Sequence, residues 1–312
     1  MSEQHGVLRE GFRRVWHYQR VLWWIFFVNL VLALFGAVPA LTKLESLGHS
    51  IRSQRLTDMF DYGSFSELIS NPEVDPFASQ GASLHFGFVF FFFMLFLTGG
   101  ILEAYRADRK LTTREFFEAS GAYFWRWVRL LIFMLIVMVP ILILASRVSK
   151  AFTSLATDSP NEKLPYEVFA GGMLLCAFLL MCVRLWFDMA QVRAVVEEEY
   201  GMWRNAGRAF KLTFGNFGSL FWLYFRISFL WWVLFALAFW VWTKMPPGRF
   251  EWTTLMLEIF ILIGFGMRLW QRASEMVWYQ RRFLAATPAP APVTPPPDPL
   301  LTVVQGPPPA QK

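Results

Sequence analysis

Phe88-Val-Phe-Phe-Phe-Phe-Met-Leu-Phe-Leu97 is a run of ten residues with no polar position. A helix wound from it has no hydrophilic side, so it cannot wall one side of a water-soluble domain. The run sits within an apolar stretch of about 20 residues, and a helix of that length rises roughly 30 Å, the thickness of a bilayer's hydrocarbon core. Five more stretches of this kind follow the same pattern, and the predicted spans are 21–41, 84–103, 123–145, 168–190, 217–242 and 252–270. They are too long for strands, and a lipid-exposed backbone must satisfy its polar groups within its own segment. The sequence therefore specifies an all-α membrane protein with six transmembrane helices.

Composition agrees. Hydrophobic residues make up 55% of the chain and aromatics 18%, with 34 Phe and 15 Trp, a balance that suits a polytopic membrane protein rather than a globular enzyme. Trp23, Trp24, Trp125, Trp127, Trp240, Trp242, Trp252 and Trp270 fall close to span ends, where amphipathic rings settle at head-group level.

A net charge of +6 invites a nucleic-acid interpretation, but the placement of the charges argues against it. With the N-terminus inside, twenty of the 29 Lys and Arg residues lie in inner segments, from Arg9, Arg13 and Arg14 to Arg268, Arg272, Arg281 and Arg282. Eight lie outside (Lys43, Arg52, Arg55, Arg147, Lys150, Lys163, Lys244, Arg249), and Arg226 falls within a span. The positive-inside rule then places both termini in the cytoplasm. The basic excess is topological and can also hold anionic lipid head groups; no nucleic-acid partner is expected. The only cysteines, Cys176 and Cys182, are six residues apart on one span, point to different faces and read as unpaired buried thiols. The first apolar run ends without a small-residue cleavage site and is expected to be an anchor rather than a signal peptide.

Residues 1–283 form the membrane domain and 284–312 a tail. Residues 1–20 make a basic amphipathic lead-in, with Val7, Leu8, Phe12, Val15 and Trp16 spaced for one face lying on the inner membrane surface. Residues 42–83 form the longest outer connection, where Leu41, Leu44, Leu47 and Ile51 suggest short interfacial helices. Thr112-Thr-Arg-Glu115 reads as a capping box opening an amphipathic surface helix over 112–120 that Gly121 ends. A second such helix is predicted over 202–214, with Trp203, Ala206, Phe210 and Phe214 on its apolar face and Gly215 at its end. The two are related at an offset of 94: Phe116, Gly121, Tyr123 and Trp127 correspond to Phe210, Gly215, Phe217 and Phe221. The repeat is parallel, so the inverted repeats of many transporters find no support here. The tail holds ten of the 18 prolines and has little to bury, so a disordered or polyproline segment is expected.

Ionisable groups inside spans cost about 2.5–3.5 kcal/mol each on insertion scales, so each needs a reason. Arg184 and Asp188 share one face of the fourth span near its inner end and can pair. Glu258 lies about two turns inside the outer end of the sixth span, Arg226 about two turns inside the inner end of the fifth, and Glu103 closes the second span after Gly99-Gly100. Asn29 sits near the middle of the first span, able to bond across helices, and Pro140 is placed to kink the third. These groups make either a polar pathway through the bundle or a set of structural pairs. No H-E-x-x-H, C-x-x-C, P-loop, G-x-S-x-G or dinucleotide fingerprint occurs, so no catalytic residue, metal or cofactor is assigned.

Arg184-Leu-Trp-Phe-Asp188-Met-Ala-Gln-Val-Arg193-Ala-Val-Val-Glu-Glu, followed by Ala206-Gly-Arg-Ala-Phe-Lys-Leu-Thr-Phe-Gly-Asn216-Phe, carries a resemblance. An Arg/Asp-bearing helix end leads through a Val-rich acidic turn to an amphipathic helix before the next span. The segment resembles the uncharacterised bacterial polytopic inner-membrane proteins grouped around the membrane domain of some glycerophosphodiester phosphodiesterases. Gly99-Gly-Ile-Leu-Glu103-Ala-Tyr-Arg106, continuing to Glu115-Phe-Phe and Gly121-Ala-Tyr-Phe, is similar to the related first-half segment. The resemblance covers about residues 10–283 and implies six spans, an inner-membrane location and no assigned catalytic residues. The catalytic domain that names the group has no counterpart here, so phosphodiesterase activity does not carry over.

The expected function is non-enzymatic: organising lipids or partner proteins, as a scaffold or accessory subunit. The alternative is a small transporter or permease-like subunit using Glu258, Asp188 and Arg184 along a pathway.

Overall fold

A computed structural model describes residues 2–48, 80–158, 161, 163–244 and 250–284. Among the described residues there is no strand, and six helices are long and apolar enough to cross a membrane. In chain order the helices are α1 (Ser2–His17), α2 (Gln19–Gly48), α3 (Gln80–Ala107), α4 (Thr113–Asp158), α5 (Leu164–Val196), α6 (Met202–Gly215), α7 (Phe217–Thr243) and α8 (Phe250–Tyr279). A π-turn, Gln280–Leu284, closes the last. The outer connection beyond Gly48, with Asp58, Asp61, Glu67, Glu73 and Asp75, lies outside the described residues, as does the tail beyond Leu284. Leu41, Leu44 and Leu47 belong to α2 itself rather than to a separate interfacial helix.

The six spans form three hairpins, α2/α3, α4/α5 and α7/α8, and α3, α5 and α8 also meet one another. Side-chain burial concentrates at the end where α1 and the C-terminal turn of α8 lie, here called the basic end. There Ile25, Leu97, Trp127, Leu130, Met189 and Leu220 are almost wholly enclosed. Toward the other end the hairpins present apolar side chains outward, including Leu34, Leu174 and Trp232, all more than 60% exposed. Apolar surface on that scale is compatible with lipid and not with water. The chain is an integral, multi-pass membrane protein.

Three expectations change. The predicted surface helix over 112–120 does open with its capping box: Thr112 N–H donates to Glu115 Oε2 at 2.8 Å and Glu115 N–H to Thr112 Oγ1 at 3.3 Å. It does not end at Gly121, however, and runs unbroken into the third span, through Pro140, as the single helix α4. Its counterpart α6 does end, at Asn216, whose side-chain amide donates to Leu212 O at 3.0 Å. The residue 94 positions earlier is Ala122, which has no side-chain donor to compete with the helical ladder.

The lead-in α1 also differs. Gly11, Arg14, Val15 and Tyr18 turn inward with Val7, while Phe12 and Trp16 stay exposed, so the expected apolar stripe is split. Glycine at position 11 is required by close approach, because a Cβ there would lie 2.4 Å from Ser274 Oγ and 2.9 Å from its backbone nitrogen. The helix thus docks onto α8, where Trp270 Nε1 donates to Leu8 O at 2.8 Å. Finally, α8 continues nine residues past the predicted boundary at 270, because Ala273, Ser274, Met276 and Val277 give it a buried face.

Candidate functional site

On α5, Arg184, Phe187, Asp188 and Gln191 recur at intervals of three and four and share one face. On α8, Phe265, Arg268 and Arg272 do the same. These two faces, with Thr98 and Ile101 of α3 and Trp127, Leu130 and Met134 of α4, line a cavity of about 370 Å³ near the basic end. Its wall carries three guanidinium groups and one carboxylate, set among aromatic and aliphatic side chains.

A chain of polar contacts crosses the bundle beside this cavity. Tyr224 Oη on α7 donates to Asp188 Oδ2 at 2.7 Å. The guanidinium of Arg184 lies 3.7 Å from the same oxygen and donates to Gln271 Oε1 at 3.3 Å. Gln271 Nε2 in turn donates to Glu275 Oε1 at 3.1 Å. Glu275 is 0% exposed, and its second oxygen has no hydrogen-bond partner. Arg272 Nη1 is likewise enclosed without an acceptor. Arg184 and Asp188 thus lie within ion-pair distance of each other, and the tyrosine is the closer partner of the carboxylate.

Beneath the cavity lies a second polar layer that ties the helix ends together. Arg14, on α1, donates to Tyr105 O at 2.5 Å, to Gln280 Oε1 at 2.9 Å and to Glu10 Oε1 at 3.0 Å. Glu103 belongs to this layer rather than to the cavity: Arg106 bridges it at 2.8 Å to Glu198 at 2.9 Å. Arg193 pairs with Glu197 at 2.5 Å, and Tyr279 Oη donates to that carboxylate. Hydrogen bonding from Arg193, against burial and with help from Tyr279, holds the Glu197 carboxyl below its ordinary 4.5. Burial raises the Glu10 carboxyl, but Arg281 and Arg14 outweigh it and leave it lowered. Arg281 pairs directly with Glu10.

The other two candidates stand apart. Arg226 lies over the Trp222 ring with its guanidinium carbon 5.1 Å from the centroid, and its Nη1 has no hydrogen-bond partner. Glu258 Oε2 is also buried without one. Neither lines the cavity. Asn29 lines a separate depression between α2 and α3, with Gly36 and Gly87.

Sequence reasoning missed Tyr224, Gln271 and Glu275, and it assigned Arg268 and Arg272 only to the basic tally of an inner segment. A signal for the α8 residues was available. Arg268, Arg272 and Glu275 continue the sixth span at spacings of four and three, which places them on one helical face if the helix is carried past 270.

On α6, Asn205, Ala206, Ala209 and Thr213 are buried against the bundle, with Asn205 Nδ2 donating to Ala190 O at 2.7 Å and Trp186 Nε1 donating to Ala206 O at 2.8 Å. Trp203, Phe210 and Phe214 face outward beside exposed Arg204, Arg208 and Lys211. Ala206 thus parts from the aromatics with which its spacing grouped it.

Comparison of the chain with protein-family models, curated proteins and solved structures gave no match in any of the three.

Proposed function

We propose that this chain is a multi-pass protein of a bacterial inner membrane, with both termini in the cytoplasm, that organises lipids or partner proteins and performs no chemical step itself. The observation that carries this function is the outer face of α6. Aromatic Trp203, Phe210 and Phe214 lie there in a stripe beside Arg204, Arg208 and Lys211 at the basic end of the bundle. Such a face inserts its rings at head-group level and sets its cations against anionic phosphates. α1 repeats the arrangement, with exposed Phe12 and Trp16 beside Arg9 and Arg13. The cytoplasmic assignment follows from the concentration of basic residues at this end. A membrane-protein partner would use the same exposed surfaces.

The permease-like alternative draws no support from Glu258, which is absent from the lining of the cavity that contains Asp188 and Arg184. Reconstitution into liposomes separates the two. A lipid-organising protein retains anionic lipid or a protein partner and leaves trapped solutes in place. Solute flux without retained lipid or partner would overturn the proposal.

A further inference from the structure

We infer that the cavity between α3, α4, α5 and α8 binds the phosphate group of an anionic membrane lipid, with Arg268 and Arg272 as its ligands. This site rests on the lipid-organising function proposed above and names the place and chemistry of one bound lipid.

The first ground is charge. Of the three arginines on the cavity wall, Arg184 is already engaged by Asp188 and Gln271. Asp188, the one carboxylate on the wall, is shared between Arg184 and the Tyr224 hydroxyl. Glu275 lies behind the wall, turned to Gln271. Arg268 and Arg272 form no ion pair among the described residues, and Arg272 Nη1 is enclosed with no acceptor. Two guanidiniums, one exposed and one partly buried, that meet no carboxylate at ion-pair distance on the wall of a largely apolar cavity form a site for an anion, and phosphate oxygens match the guanidinium fork.

The second ground is the remainder of the wall. Phe90, Met94, Leu130 and Met134 are apolar, and Phe91 on the rim is 44% exposed on the outer surface. A volume of about 370 Å³ lies at the small end of the range for ligand pockets. It holds a head group and the first part of its chains, and the rest must leave past Phe91 into the bilayer. Inorganic phosphate shares the head-group chemistry but would leave the apolar wall uncovered.

The test uses the full-length protein in a neutral detergent, titrated separately with phosphatidylglycerol, diacylglycerol and inorganic phosphate, with binding read by native mass spectrometry and by thermal unfolding. Phosphatidylglycerol is expected to bind and to raise the unfolding temperature, while diacylglycerol and inorganic phosphate bind far more weakly. Arg268→Gln with Arg272→Gln should weaken phosphatidylglycerol binding by about tenfold or more, the loss of two charge-assisted contacts. Arg147→Gln with Lys150→Gln, exposed on α4 beyond the cavity, should leave phosphatidylglycerol binding unchanged. Equal binding of diacylglycerol, or of inorganic phosphate, would overturn the site. Wild-type affinity in the cavity variant would overturn it as well while leaving the lipid-organising function standing; retention of no lipid by the wild type would remove both. Should the glutamine pair fail to fold, Met134→Trp fills the cavity without touching the charges and is expected to block binding, whereas unchanged affinity in that variant would refute the site.

Discussion

Tyr224 on α7 donates its hydroxyl to Asp188 Oδ2 on α5 at 2.7 Å, inside the bundle and 36 residues away in sequence. Beyond Ile227 almost every side chain of α7 is exposed or only partly covered, so this contact falls within the short stretch, Leu220 to Ile227, that fixes the helix to its neighbours. Removing the hydroxyl leaves Asp188 with the more distant Arg184 alone. Tyr224→Phe should therefore lower stability by about 0.5–2 kcal/mol, the spread found for hydrogen bonds between membrane helices. Thermal unfolding in detergent reads the change, and an unchanged midpoint would show that the bond contributes nothing.

Gly100 and Gly121 should respond in opposite directions to alanine. A Cβ at Gly100 would lie 2.5 Å from Ser120 Oγ and 2.7 Å from Phe116 O, so α3 must move away from α4. Gly100→Ala is expected to cost about 1–3 kcal/mol through overpacking. At Gly121 no atom lies within 4 Å of the added carbon, and the residue is inside a continuous helix. Gly121→Ala should stabilise by up to about 1 kcal/mol, the difference in helix propensity. Equilibrium unfolding of the two variants side by side tests both signs.

Acid should weaken the polar layer. Glu197 and Glu10 titrate below 4.5 in the folded protein because arginines hold their charged forms. A depressed folded value means that the contribution is present above the unfolded value and is lost as pH falls through the folded one. The unfolding temperature should thus be flat above about pH 5 and fall on acidification below the ordinary value of 4.5. Glu197→Gln should flatten part of that fall. A melting temperature that rises on acidification would contradict the pairing.

Arg14 should be the residue that holds α1 in place. It is 6% exposed and joins Tyr105 O on α3 and Gln280 in the closing turn to α1, while also holding Glu10 one turn earlier on α1 itself. Arg14→Met removes these bonds while keeping an apolar stem against the same wall. Loss of about 1–3 kcal/mol is expected, the cost of stranding buried acceptors. Hydrogen exchange over residues 2–17 should quicken selectively, whereas uniform quickening across the bundle would assign Arg14 a global role.

The architecture was legible because the solvent is lipid. A run such as Phe88–Leu97 admits one structure, and counting such runs yields the spans without any knowledge of how they pack. Helix ends were less legible, since they depend on single competing side chains. Asn216 stops α6 and Ala122 lets α4 continue, although Gly215 and Gly121 look alike at the matched position. Within the site, Arg184 and Asp188 were visible because both lie on one helix at a spacing of four. Tyr224 and Glu275 reach them only through the packing of α7 and α8, a relationship that no periodicity within a single helix encodes. Arg268 and Arg272 were concealed by the topology rule itself, which counts a cation at a span end as explained.

The most direct test of the lipid-organising function is to extract the protein from its native membrane in mild detergent and identify everything retained, lipids and proteins together, by mass spectrometry. Anionic phospholipid enriched over its share of the surrounding bilayer, or a stoichiometric protein partner, is the predicted result. A retained lipid mixture identical to the bulk membrane, with no partner present, would contradict it.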